Sequence, residues 1–219
     1  YKGNASWNGK MGLIGYSEGG YVTMVTQQAL QEQYADEFPM GTCVQACAPM
    51  EGPYALSTVM ADVMKKHEPF RAPYFLPMML NGYDAVYQKE YDLFAIKNAV
   101  KTQVGSTTNF SAYLDQLINN KVTLEKGEQL TDAINHWMSL AMQDPTTFNA
   151  PRDILSDEFA ALLDGSDNDL YTVLKENDAY VGWFPAVPFK LYHCQEDDLV
   201  PFGNGLTAYD AFKAIQPSD

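Results

Sequence analysis

Two hundred and nineteen residues make one domain, or one domain carrying an insertion, and a chain of that size buries about 70–75% of its unfolded surface. An apolar fraction of 46% beside 19% charged residues excludes a disordered chain. Against 14 basic residues stand 28 acidic ones, a net charge of −14, which excludes a phosphate-tracking surface and with it a nucleic-acid partner, and opposes an anionic bilayer.

In chain order, Lys10–Tyr16 is a short apolar run that predicts a buried strand. Glu18 to about Tyr34 predicts a helix, with Tyr21, Val22, Val25, Ala29 and Leu30 near helical spacing. After the breaker Phe38-Pro39-Met40-Gly41, Thr42–Ala48 predicts a second strand. Strand, helix, strand implies a parallel sheet. From Gly52 to about Ala186 the texture turns helical, with segments at Tyr54–His67, Tyr74–Tyr87, Phe110–Ile118, Leu130–Met142 and Asp169–Glu176. Met and Tyr recur through that stretch and suit an adaptable apolar surface, or ordinary core packing. Pro188–Cys194 returns to strand character and Leu206–Ile215 predicts a last helix.

The chemistry concentrates in two places. Gly15-Tyr16-Ser17-Glu18-Gly19-Gly20 has the pattern G-x-S-x-G directly after a strand and at the opening of a helix. A turn that sharp is strained, and Gly15 and Gly19 are expected to make room where a Cβ would clash. Ser17 would stand exposed at the end of the sheet, and the Glu18 backbone N–H would serve as an oxyanion-hole donor. The second place is His193-Cys194-Gln195-Glu196-Asp197-Asp198-Leu199-Val200-Pro201, an acidic turn after a strand.

Ser17 in its elbow followed by a D-x-x-V-P turn resembles the α/β-hydrolase fold. The resemblance puts the acid of a catalytic triad on Asp197, with Asp198 and Glu196 as lesser candidates. Gly-Tyr-Ser-Glu-Gly-Gly, then Ala-Cys-Ala-Pro-Met-Glu-Gly-Pro-Tyr-Ala-Leu, then a long helical stretch, is similar to the secretory lipase/esterase branch, whose helical cap enters after the strand following the elbow. It implies a hydrolase core over 1–51 and 187–219, a cap or lid over 52–186, export to the periplasm or beyond the cell, no cofactor, and a small-molecule or lipid ester as substrate. The implied enzyme is a serine esterase. A serine peptidase of the same fold and a non-catalytic hydrolase-like binding module are the rival readings.

In this fold the order along the chain is Ser, acid, His. No His follows His193, which sits at a strand end and is expected to be structural; His67 and His136 fall in the helical stretch. Only about ten residues precede the elbow strand, no initiator Met or apolar leader is present, and no segment reaches the roughly 20 apolar residues of a membrane span. The expectation is a partial core, inactive alone, whose N-terminal strands, second oxyanion donor and catalytic His lie elsewhere in the same enzyme. Metal readings fail on spacing. Cys43 and Cys47, with His193 and Cys194, lack a zinc-finger arrangement. The loop opening at Asp164 has Asp169 where a calcium loop needs Gly and Lys175 where it needs Glu, and so predicts a helix cap. Cys43 and Cys47, about 13 Å apart in an extended strand, cannot pair.

Overall fold

The structure, a computed structural model, describes residues 6–105, 107–119, 122–141 and 150–215. The chain divides into two compact units, Tyr1–Met60 with Asn177–Asp219, and Ala61–Glu176.

In the first unit, β1 (Met11–Tyr16) and β2 (Val44–Met50) pair in parallel, joined by α1 (Glu18–Glu32). The register sets Tyr16 opposite Met50, so both strands end level. A third extended segment runs beside β2 on its far side, with parallel bridges at Cys47–Phe189 and Met50–Tyr192. The Cys47 N–H donates to the Pro188 carbonyl (3.0 Å), Lys190 N–H to Cys47 O (3.0 Å) and Glu51 N–H to Tyr192 O (2.9 Å). Between them Tyr192 N–H donates to Pro49 O (3.3 Å), but Pro49 has no N–H to give in return, which leaves the predicted Pro188–Cys194 strand as two separate bridges.

α1 lies on both strands. Its buried residues are Gly20, Thr23, Met24 and Gln27, one stripe at helical spacing. That stripe differs from the apolar one expected from the sequence: Val22 is 51% exposed. Gly20, Thr23 and Gln27 keep part of the buried side small or polar, whereas Met24 joins Tyr54, Trp183 and Phe212 in an apolar cluster on which Tyr21 and Val25 pack. The rings of Trp183 and Phe189 meet Phe212 edge-on at 5.2 and 5.5 Å, fixing α10 (Gly203–Ile215) to this core.

β2 continues into a π-helical turn, Leu56–Met60, and buried polar groups hold it. Asp178 accepts from the Ser57 N–H (3.0 Å) and hydroxyl (2.5 Å), and Asn204 Oδ1 accepts from the Ala55 N–H (3.0 Å).

The second unit comprises α2 (Ala61–Lys65), α3 (Phe75–Tyr87), α4 (Ile96–Ala99), α5 (Phe110–Ile118), α6 (Leu130–Ala141), α7 (Pro151–Ile154), α8 (Asp157–Asp164) and α9 (Asp169–Glu176). Met142, the predicted end of α6, lies outside the described residues. Leu80, Phe94, Phe110, Leu114, Ile134, Ile154 and Phe159 form its interior. Between α8 and α9, Asn168 Oδ1 accepts the Tyr171 N–H (3.0 Å) as a helix cap. The Asp164 carboxylate is held by both terminal nitrogens of Arg152, at 2.7 and 2.6 Å, which keeps its pKa below the usual range. Among the described residues, no helix is long and apolar enough to cross a membrane.

Candidate active site

β1 ends at Tyr16 and α1 begins at Glu18, so Ser17 makes the whole turn alone. Its backbone sits at φ 58°, ψ −126°. For a residue with a Cβ such a conformation costs about 1–3 kcal/mol and persists only when surrounding bonds over-determine it. They do here: the Ser17 N–H donates to Met50 O (2.9 Å), and the Ser17 carbonyl accepts from Gly20 (2.8 Å) and Tyr21 (3.2 Å). The Ser17 side chain makes no capping bond to its own helix. The Glu18 N–H belongs to the first turn of α1, where no carbonyl of the helix can reach it.

The glycines divide their roles differently from the expectation. A Cβ on Gly15 would fall on the Gly19 carbonyl and Thr23 Oγ1, and one on Gly20 would fall on the Met50 carbonyl. A Cβ on Gly19 would meet nothing within 4 Å. The room expected from Gly19 is therefore supplied by Gly20, because it is Gly20 that faces β2. Gly20→Ala should destabilise the protein by about 3 kcal/mol, since backbone rather than a movable side chain blocks the methyl. Gly19→Ala should be neutral or stabilising by up to about 1 kcal/mol, through helix propensity. Urea unfolding midpoints of the two variants check the contrast.

The acidic turn follows the third extended segment. Asp197 Oδ1 accepts from the backbone N–H groups of Leu199 and Val200, both at 2.9 Å. Its Oδ2 lies 4.0 Å from His193 Nε2, and its side chain is 13% exposed. Glu196 and Asp198 are exposed. Tyr16, Met50 and Tyr192 stand in line across the three extended segments. Ser17 and Asp197 therefore follow the ends of segments two rungs apart, about 10 Å at the usual spacing. Ligands of open parallel sheets bind at that carboxyl edge.

One acidic residue escaped the sequence reading. Glu51 directly follows β2, has φ 50°, and its Oε1 accepts the Cys194 N–H at 3.1 Å. Interaction with the nearby Glu51 carboxylate raises the Tyr16 pKa, and Asp197 and Cys194 add smaller contributions.

The histidines and thiols take other places. The His193 side chain is 3% exposed and its Nε2 is 2.7 Å from the Val200 carbonyl. His67 pairs with Asp153 in the helical unit, and His136 lies exposed on α6. Cys43, Cys47 and Cys194 are free thiols, and burial pushes Cys47 up to about 12. Among the described residues, no three His, Cys, Asp or Glu side chains gather as metal ligands.

The fold recurs in solved structures. The rice cell wall degrading esterase LipA from Xanthomonas oryzae matches with a TM-score of 0.70 at 22% identity, over 97% of this chain and 50% of LipA. A ligand-bound form of LipA matches at 0.66 and 23% identity over the same shares. A protein of Legionella pneumophila strain Philadelphia 1, provisionally described as a hydrolase, matches at 0.66 and 23%, over 94% of this chain and 47% of its own. The chain thus spans about half the length of the structures it matches, and shares with them a mixed α/β fold with a small parallel sheet. No family model and no curated protein sequence matches it.

Proposed function

We propose that this chain carries the nucleophile and acid of a serine carboxylic-ester hydrolase of the α/β-hydrolase type, with residues 52–186 as its helical cap. The observation that carries the reading is Ser17: a non-glycine residue held at positive φ, alone between strand and helix, in a fold shared with esterases.

In this mechanism Ser17 Oγ attacks the ester carbonyl while a His takes its proton. The oxyanion is met by the Glu18 N–H and by a second donor outside this chain. Collapse expels the alcohol, which receives the proton from the His, and water then hydrolyses the acyl-serine by the same route in reverse. Asp197 holds the His in the right tautomer and stabilises its cation. His193 is enclosed with its Nε2 on a carbonyl, and His67 and His136 belong to the helical unit, so the base is assigned to a His outside this chain. The substrate is a small or lipid ester, no cofactor takes part, and the parent enzyme is secreted or periplasmic.

A fluorophosphonate probe on the full-length protein tests the reading. The phosphonyl group should map to the Ser17 peptide, with ester turnover lost in proportion to labelling. Intact turnover of short-chain nitrophenyl esters with Ser17 unlabelled would reject it.

A further inference from the structure

We propose that His193 is a positioning residue of this site, a latch that holds the Asp197 loop closed. The role rests on the esterase reading given above. His193 leaves the sheet from a fixed point, because Tyr192 is bridged to Met50 and its carbonyl accepts the Glu51 N–H at 2.9 Å. Seven residues later the chain returns to it. His193 Nε2 lies 2.7 Å from the Val200 carbonyl, and a carbonyl only accepts, so Nε2 carries the hydrogen and donates it. Val200 in turn gives its N–H to Asp197 Oδ1 at 2.9 Å, beside the N–H of Leu199. Val200 is thus gripped from both sides, by the acid at its N–H and by the imidazole at its C=O.

The surroundings of the ring support the assignment. Its side chain is 3% exposed, and the Phe202 ring meets it edge-on at 5.9 Å. Gly205, in the first turn of α10, lies so close that a Cβ there would come to 2.9 Å of Nδ1. Nδ1 is buried with no hydrogen-bond partner among the described residues. Leaving a buried polar atom unpaired is costly, and a leucine would fill the space without that cost. What the histidine adds is the donor at Nε2.

The latch also leaves the acid free for its task. Asp197 Oδ2 is 4.0 Å from His193 Nε2, beyond hydrogen-bond reach. That oxygen stays open for the His that takes the Ser17 proton, so His193 acts through Asp197 and not on the reacting atoms.

The test compares His193→Gln with His193→Asn in the full-length protein, each alone and combined with Asp197→Asn, beside Ser17→Ala. Glutamine places its NH₂ near the position of Nε2, whereas asparagine places it near Nδ1, where no partner stands among the described residues. Misplacing reacting groups by about 1 Å lowers rate by about 10²-fold, so His193→Asn should reduce kcat by about that factor with KM changed less than about threefold. His193→Gln should stay within about fivefold of wild type. Added to Asp197→Asn, His193→Asn should cost less than about threefold more, because the group it positions is already disabled. Two readouts are independent of turnover. In the wild type, the imidazole nitrogen NMR shifts of His193, identified by their loss in either variant, should show hydrogen on Nε2 and none on Nδ1 at alkaline pH. Amide exchange at Leu199 and Val200 should quicken by about tenfold in His193→Asn, with Cys47 and Lys190 in the sheet unchanged. An Nδ1–H tautomer, unchanged kcat in His193→Asn, a His193→Gln as slow as His193→Asn, or an undiminished cost of His193→Asn on top of Asp197→Asn would each overturn the latch and leave the esterase reading standing. A fully active Ser17→Ala would instead remove that reading, and the latch with it.

Discussion

Ser17→Ala in the full-length protein should lower kcat for ester hydrolysis by about 10⁵–10⁶-fold, because the acyl-enzyme route is lost and only binding and the oxyanion donors remain. The stability of the variant should hold within about 0.5 kcal/mol. The Ser17 hydroxyl makes no bond to its helix, and alanine keeps the Cβ at the same strained φ. Ser17→Gly separates the two effects further. Glycine adopts φ 58° without a Cβ penalty, so this variant should be as inactive as Ser17→Ala yet more stable than wild type by about 1 kcal/mol. Greater stability with no activity is the outcome expected of a residue whose strain serves chemistry. Initial rates on a short nitrophenyl ester and urea unfolding of the three proteins check it. Retention of a tenth of the wild-type rate by Ser17→Ala would sink the assignment.

The strand-to-helix turn at Ser17 was legible because everything it needs is local. A strand, one serine and a helix lie within about twenty consecutive residues, and glycines at the turn announce close approach. Even there the sequence misdirected a detail: the decisive contact of Gly20 is with Met50, thirty residues away, and nothing near Gly20 reveals it. The same limit hid Glu51. A lone glutamate after a strand carries no pattern, and its place beside the acidic turn comes from the register that sets Met50 beside Tyr16 on one side and Tyr192 on the other. The face of α1 was misjudged for a related reason, since Gly20, Thr23 and Gln27 keep part of its buried side small or polar. Helices α7 and α8, four and eight residues long, are too short to show a period. The one local sign of α8 was its Ser156 cap, whose hydroxyl accepts the Phe159 N–H at 3.1 Å.

Asp197→Asn should cost about 10⁴ in kcat, with KM little changed. The substitution leaves the turn intact, because the asparagine carbonyl can still accept the Leu199 and Val200 N–H groups that Asp197 Oδ1 now holds. The change therefore falls on the other side of the group, where Oδ2 becomes an NH₂. A donor stands where the His requires an acceptor, so the imidazole turns to the tautomer that cannot take the Ser17 proton, and its cation loses the neighbouring charge. Asp198→Asn and Glu196→Gln alter exposed side chains and should each cost less than about threefold. The pH profile offers a second check. With the carboxylate gone, the base loses the charge that favours its protonated form, and the acid limb of kcat/KM should move to lower pH. If Asp198→Asn proves the damaging change, the acid is one residue further along the turn, and the two bonds to Asp197 Oδ1 serve only to shape the loop.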